Sequence, residues 1–420
     1  MTLSGLLFQA LNGLSTASGL FFIAVGLSLI FGVSRIINIA HGSLYMLGTY
    51  IAYSFATKIG GVLGFWGGIV ATALVVAALG AVIEVLLLRR IYRAPELFQL
   101  LATFALVLVF NDAALAIWGP EELLGPRAPG LRGSIEILGR HLPAYDLFLI
   151  VIGPVVLLAL HLTLAKTRFG RLIRAATQDR EMVGALGVNQ AMLFTAVFAL
   201  GAGLAGLGGA LQIAREPANL ATDLIAIGDA FVVVVVGGMG SITGAFLAAI
   251  IIAEVKALCI AVGVVDLGFV SLNFSKMTLV AEFLVMAIVL IVRPYGLLGR
   301  KQGMVRSMAA PEEPIRPAGM PLKVAGAVIV VILFCFPLLF RDSSPYLLVL
   351  GIDVLIAILF ATSLHFIAGP GGMHSFGHAA YFGLGAYGFT LAVVRGGVPP
   401  ELALAIGPLA AALGGLVFGA

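Results

Sequence analysis

Charge is what this sequence has least of. Its 420 residues carry 24 basic and 20 acidic side chains, 10% of the chain, where soluble domains run near roughly a quarter. Hydrophobic residues make up 61%. A chain this apolar cannot cover a globular surface with polar groups, so its solvent is mostly lipid. A soluble enzyme and a disordered chain are both excluded. Cysteine is almost absent too: Cys259 and Cys335 both lie in apolar runs, which rules out a disulfide scaffold and reads as small buried hydrophobes. None of the six lysines completes the G-x-x-x-x-G-K-[ST] pattern, and only Lys166 is followed by Ser or Thr. The nucleotide-binding signature is therefore missing. No G-x-S-x-G elbow appears, and His, Asp and Glu do not cluster at metal-ligand spacing, so neither a catalytic constellation nor a metal site is expected. The N-terminus lacks a basic stretch before its first apolar run, which reads as a retained span rather than a cleaved signal.

What is present is a succession of apolar runs: 3–33, 36–56, 62–88, 97–118, 147–165, 191–213, 224–262, 277–292, 324–340, 346–367, 376–394 and 402–420. Most approach the ~20 residues that a helix needs to cross a bilayer, and they show little period-2 alternation. The fold expected is an all-α polytopic membrane protein with about 12 transmembrane or part-spanning helices. The net charge of +4 does not point to nucleic acid, because the basic residues gather in three inter-span loops. These hold Arg89, Arg90 and Arg93; Lys166, Arg168, Arg171, Arg174 and Arg180; and Arg293, Arg300, Lys301 and Arg306. The positive-inside rule makes all three cytoplasmic. The mixed-charge loop 119–146 and the segment 215–229 then belong outside.

Parity requires an even number of crossings between Ile213 and Met277, so the run 224–262 must be split. Gly237-Gly238-Met239-Gly240-Ser241-Ile242-Thr243-Gly244 is the place for it, leaving a short first piece of about twelve residues and a broken or half-length helix. The alternative is a glycine cluster for tight packing. Either way, Gly237, Gly238, Gly240 and Gly244 are expected to be buried between helices. Ionisable residues within spans (Glu84, Asp112, Glu254, Lys256, Glu282 and Asp353) are costly in lipid and call for a partner or a function. Glu84 and Glu282, toward helix ends, are expected to snorkel or pair locally. Glu254 and Lys256 are two residues apart and point to different faces.

Residues 302–321, rich in Pro, Gly and charge, read as a cytoplasmic linker between a first half, 1–301, and a second part, 322–420. The two parts share a segment. Asn38-Ile39-Ala40-His41-Gly42-Ser43-Leu44-Tyr45-Met46-Leu47-Gly48-Thr49-Tyr50 aligns with Ser375-Phe376-Gly377-His378-Ala379-Ala380-Tyr381-Phe382-Gly383-Leu384-Gly385-Ala386-Tyr387, and a histidine matches in a chain that has only six. Asn38, His41, Ser375 and His378 are thus candidates for the translocation path, as is Asp353. The other reading is helix packing, with the imidazole satisfied by a neighbouring backbone carbonyl.

The segments 36–42, 167–182, 237–245 and 293–299 resemble the permease subunits of branched-chain amino acid ABC importers. Residues 1 to about 300 are similar to the H-type subunit, and those from about 320 to the beginning of its M-type partner. In place of the Gly-Gln-Leu-Ser usual in the second subunit stands Gly372-Met373-His374-Ser375. The resemblance implies a multi-pass protein of a bacterial-type inner membrane that is not itself an enzyme. Its implied partners are two ABC ATPase subunits, which hold ATP and Mg, and a periplasmic or extracellular substrate-binding protein; no cofactor is bound by this chain. It also implies that 166–189 is the segment coupling to the ATPase. There Ile173, Ala176, Val183 and Leu186 recur at helical spacing, with Arg171, Arg174, Asp179 and Glu181 among them and Gly187 as the stop. Alternatives are a sugar or nucleoside permease of the same superfamily, an ion-coupled secondary transporter with inverted repeats, and a passive channel. The second part is expected to be truncated, since the residues matching 166–189 at the offset of 337 would fall beyond position 500.

Overall fold

The computed structural model describes residues 3–36, 38–92, 94–137, 139–178, 180–266, 271–299, 319–340, 345–369 and 377–419. The chain divides into two compact units, Met1–Val305 and Arg306–Ala420. The linker proposed from the sequence falls almost wholly outside the described residues.

The first unit begins with α1 (Leu3–Ser34), a 32-residue helix that at ~1.5 Å per residue is longer than a ~30 Å hydrocarbon core. Arg35, at φ 58°, stops it in the left-handed region, and after a short irregular stretch α2 (His41–Lys58) follows. A long apolar helix then runs from a π-turn at Leu63–Gly67 through α3 (Gly68–Ile83) and a second π-turn at Glu84–Leu88 to the short α4 (Arg89–Ile91). Next come α5 (Glu96–Trp118), the hairpin of β1 (Ser134–Ile137) with β2 (Arg140–Pro143), and α6 (Ala144–Lys166). Two surface helices, α7 (Arg168–Gln178) and α8 (Arg180–Ala185), lead into α9 (Gln190–Gln212). The unit closes with α10 (Thr222–Gly237), α11 (Ile242–Val262), the small hairpin of β3 (Val264–Asp266) with β4 (Ser271–Asn273), and α12 (Thr278–Val292).

The second unit holds α13 (Met320–Phe340), α14 (Pro345–Ala368), α15 (His378–Val394) and α16 (Pro400–Gly419). Among the described residues, eight helices are long and apolar enough to cross a membrane, and three shorter apolar helices accompany them. The chain is an all-α polytopic membrane protein.

The core of the first unit is built on α1, α2 and α9, with Phe21, Phe22, Leu44, Met46 and Tyr50 fully buried. Small residues let these helices meet at their backbones. A methyl group on Gly26 of α1 would run into the carbonyl oxygen of Gly201 on α9, and one on Gly48 of α2 into that of Gly206.

Two ends of the bundle emerge. At one, Leu123 forms a bridge with Ala218, Asn219 Nδ2 donates to Glu122 at 2.6 Å, and Arg215 pairs with Asp146 at 3.0 Å. The two segments read as external therefore meet. At the other, Arg89 reaches the carbonyl of Ala191, and the backbone N–H groups of Leu297 and Leu298 donate to Val236 and Gly237. The described parts of the first and third basic loops and the glycine turn are read as sharing this end.

The structure splits 224–262 at the glycines, as parity requires, but corrects where the irregular backbone lies. The turn sits at the basic end, with Gly238 (φ 98°) against Tyr295 and Gly299. Gly237, Gly238 and Gly244 are buried, whereas Gly240 is exposed. The piece before the turn has 16 residues rather than twelve, about 24 Å of helix. It falls short at its other end. There Asn111, seven residues before the end of α5, donates to Leu220 O at 3.0 Å, so the chain entering α10 dips about 10 Å below the end of α5.

Candidate functional site

At that depth the N-termini of α2 and α10 converge. A side chain on Gly42 would collide with the Asp223 carbonyl. Asp223 is the second residue of α10 and is buried; its Oδ1 accepts the N–H of Leu224 at 2.6 Å. Its Oδ2 faces Ser43 Oγ and Asn111 Nδ2, each at 3.5 Å, the outer limit of a hydrogen bond. A carboxylate on the first turn of a helix complements the helix dipole, which offsets part of the cost of burying it.

Asn38 and His41 lie beside this junction, 1% and 0% exposed. His41 is the first residue of α2, and its Nε2 lies 3.0 Å from the carbonyl oxygen of Ile23 in α1. A carbonyl only accepts, so Nε2 carries the proton and Nδ1 is left as a bare acceptor. Of the two roles open to His41, the contacts are those of helix packing. His378 is likewise the first residue of its helix, α15, and reaches the preceding helix, but its partner is a side chain rather than the backbone carbonyl expected: Nε2 lies 2.6 Å from Ser363 Oγ on α14. Ser375 lies outside the described residues. Asp353 sits on an exposed face of α14.

The segment 166–189 forms two helices: α7 folds back on the end of α6, where Gly170 meets Leu164, and α8 meets the start of α9, where Gly184 meets Gln190. Ile173, Ala176 and Val183 are buried, as their spacing predicts, while Arg171 and Arg174 face outward. Leu186 departs from that face. It follows the last residue of α8 and is 76% exposed, because the chain has left the helix by then. Gly187, at φ 83°, ends the segment in the left-handed region that a glycine adopts without strain. Asp179 is outside the described residues, and Glu181 lies on α8.

Several charged groups within the helices find partners that spacing alone does not reveal. Lys256 Nζ on α11 is 2.7 Å from both Asp229 Oδ2 on α10 and Glu282 Oε2 on α12. Glu254 points the other way, toward Gly13 of α1, so the two neighbours do occupy different faces. Glu84 is fully buried and pairs with Arg89 at 2.9 Å, the local partner expected of it. Asp112 is exposed. Reading the sequence misses Asn111, Thr195, Asp223 and Asp229. For Asp223 a signal existed, an acidic residue at the head of an apolar run; Asp229 lay inside a run and was open to the same scrutiny as Lys256.

The family model described as branched-chain amino acid transport system / permease component matches residues 9–293. The high-affinity branched-chain amino acid transport permease protein BraD of Pseudomonas aeruginosa is 28% identical over 304 residues, covering 70% of this chain and 96% of BraD. LivH of Salmonella typhimurium, of the same description, is 26% identical over the same shares. A probable LivH of Methanocaldococcus jannaschii is 26% identical over 288 residues, 67% of this chain and 88% of that protein. No solved structure matches.

Proposed function

The chain belongs to the family of branched-chain amino acid transport permease components, and from that premise we propose that it is a transmembrane subunit of an ATP-driven importer for branched-chain or related amino acids. The observation that carries this reading is the pair α7–α8, a basic, amphipathic surface segment inserted between two membrane helices at the end where the other basic loops gather. A short helix of this kind fits a groove on a soluble ATPase and passes its closure on as a rigid-body push. ATP and Mg then belong to two partner ATPase subunits. A binding protein delivers substrate to the opposite end, where β1–β2 and the segment 213–221 lie.

Mid-depth packing of α1 against α9 brings backbones together at Gly26 and Gly201, which leaves no room there for an amino acid. The path therefore does not run between these two helices at that depth. The start of α15, with its histidine bonded to the preceding helix, supports reading the second unit as similar to a second permease.

The test is reconstitution in proteoliposomes with the two ATPases and the binding protein. Uptake of leucine, isoleucine or valine is expected to require ATP on the α7–α8 side. Uptake driven by an ion gradient alone would place the chain among secondary transporters, and uptake of sugars or nucleosides in preference to amino acids would move it within the superfamily.

A further inference from the structure

The second π-turn, Glu84–Leu88, interrupts an otherwise regular membrane helix. In an α-helix, residues five apart lie about 140° from one another around the axis, too far for a side-chain pair. A π-turn brings residue i+5 over residue i. Here the backbone N–H of Arg89 donates to the carbonyl of Glu84, the i to i+5 bond that defines the turn. The same geometry stacks the two side chains. Arg89 grips the carboxylate with two nitrogens, Nη2 to Oε2 at 2.9 Å and Nε to Oε1 at 3.3 Å, a two-point arrangement that fixes orientation as well as charge. Tyr92 OH donates to Oε1 at 3.1 Å.

The fully buried carboxylate is aimed at another helix. Thr195 of α9 donates its hydroxyl to Glu84 Oε2 at 2.6 Å, and Arg89 Nη2 donates to the same hydroxyl oxygen at 2.6 Å. Thr195 lies in the second turn of α9, directly after α7 and α8, and α8 packs on the start of α9 where Gly184 meets Gln190. Beyond the clamp, α3 and α9 run in close contact, Gly80 against Ala202 and Gly206 against Val76.

We propose that Glu84 is a positioning residue for energy coupling. With Arg89 and Thr195 it clamps α3 to α9, so that the two helices move as one body when the α7–α8 segment is displaced. This rests on the importer reading above. It extends that reading by naming the contact that carries the displacement from the surface segment into a helix with no sequence link to it.

Two measurements test it. In the reconstituted importer, Glu84→Gln and Thr195→Val are expected to keep substrate-stimulated ATP hydrolysis while uptake per ATP falls at least about fivefold, the scale of a typical coupling energy. Thr195→Ser, which restores the hydroxyl, is expected to return the ratio to that of the unaltered protein. An unchanged ratio in Thr195→Val, or the same loss in Thr195→Ser, overturns the proposal. The second measurement reads the clamp directly. Spin labels replace Leu86 and Met192, 58% and 72% exposed, in the purified full chain with Cys259→Ala and Cys335→Ala. The distance distribution between them is expected to be narrow and to broaden in Thr195→Val; a distribution that does not change refutes the clamp. Because the labels are read without ATPases, a chain with a Thr195-dependent narrow distance but no ATP-dependent uptake would remove the importer reading and leave the clamp standing.

Discussion

The imidazole of His41 is bonded to the carbonyl oxygen of Ile23, 3.0 Å away, so the first residue of α2 is tied into the middle of α1. That carbonyl already accepts within its own helix, and a second donor uses its other lone pair. His41→Ala removes the donor and opens a void between α1, α2 and α9. A loss of about 1–3 kcal/mol is expected, visible as a lower melting temperature of the detergent-solubilised protein. His41→Gln, which keeps a donor, is expected to lose less. Unchanged stability with abolished uptake would instead make His41 a residue of the transport path.

Lys256 bridges two carboxylates that would otherwise face each other across α10, α11 and α12. Lys256→Met leaves both in a partly buried site, and removing one member of such a group costs about 3–5 kcal/mol. Adding Asp229→Asn and Glu282→Gln to Lys256→Met takes away the unpaired charges and is expected to recover most of that loss. Thermal unfolding of the single and triple variants checks this; a triple variant no better than the single one would show that the ion pairs are not what Lys256 contributes.

Glycine on α1 is read as a spacing device, and the comparison of two substitutions isolates it. Gly26→Val drives a side chain into the Gly201 carbonyl and the His41 ring, so the folded yield is expected to fall, with an overpacking cost of about 1–3 kcal/mol or more. Gly228→Ala on α10 meets nothing within 4 Å and is expected to be neutral or slightly stabilising. Monodisperse yield and melting temperature of both variants decide the matter.

Arg171 and Arg174 face outward from α7, away from the packed face of Ile173 and Ala176. Reversing both to Glu is expected to leave the melting temperature unchanged while co-purification of the ATPase subunits falls, more steeply at low salt. If ATPase still co-purifies fully, α7 meets its partner through other residues.

The surface segment was legible in the sequence because α7 lies between water and protein. Only such a boundary forces polar residues onto one face and apolar residues onto the other, and Ile173, Ala176 and Val183 kept that period. Leu186 broke it because the chain ends its helix one residue earlier, and helix ends are the least readable part of any pattern. The membrane helices carry no such period. Lipid is as apolar as a neighbouring helix, so a residue such as Leu101, at 64% exposed, and one such as Leu44, at 0%, look alike in the sequence.

Composition and the placement of arginine therefore settled the membrane class, the helical build and the basic end. These follow from the cost of moving each residue or backbone group into lipid, which is a local quantity. Tertiary structure alone decided that Glu84 meets Thr195, 111 residues away, that Lys256 holds both Asp229 and Glu282, and that the short end of α10 is the one beside Asn111. A buried charge must find a partner, but which partner depends on the helices that pack against it, and the order of residues along the chain does not record that.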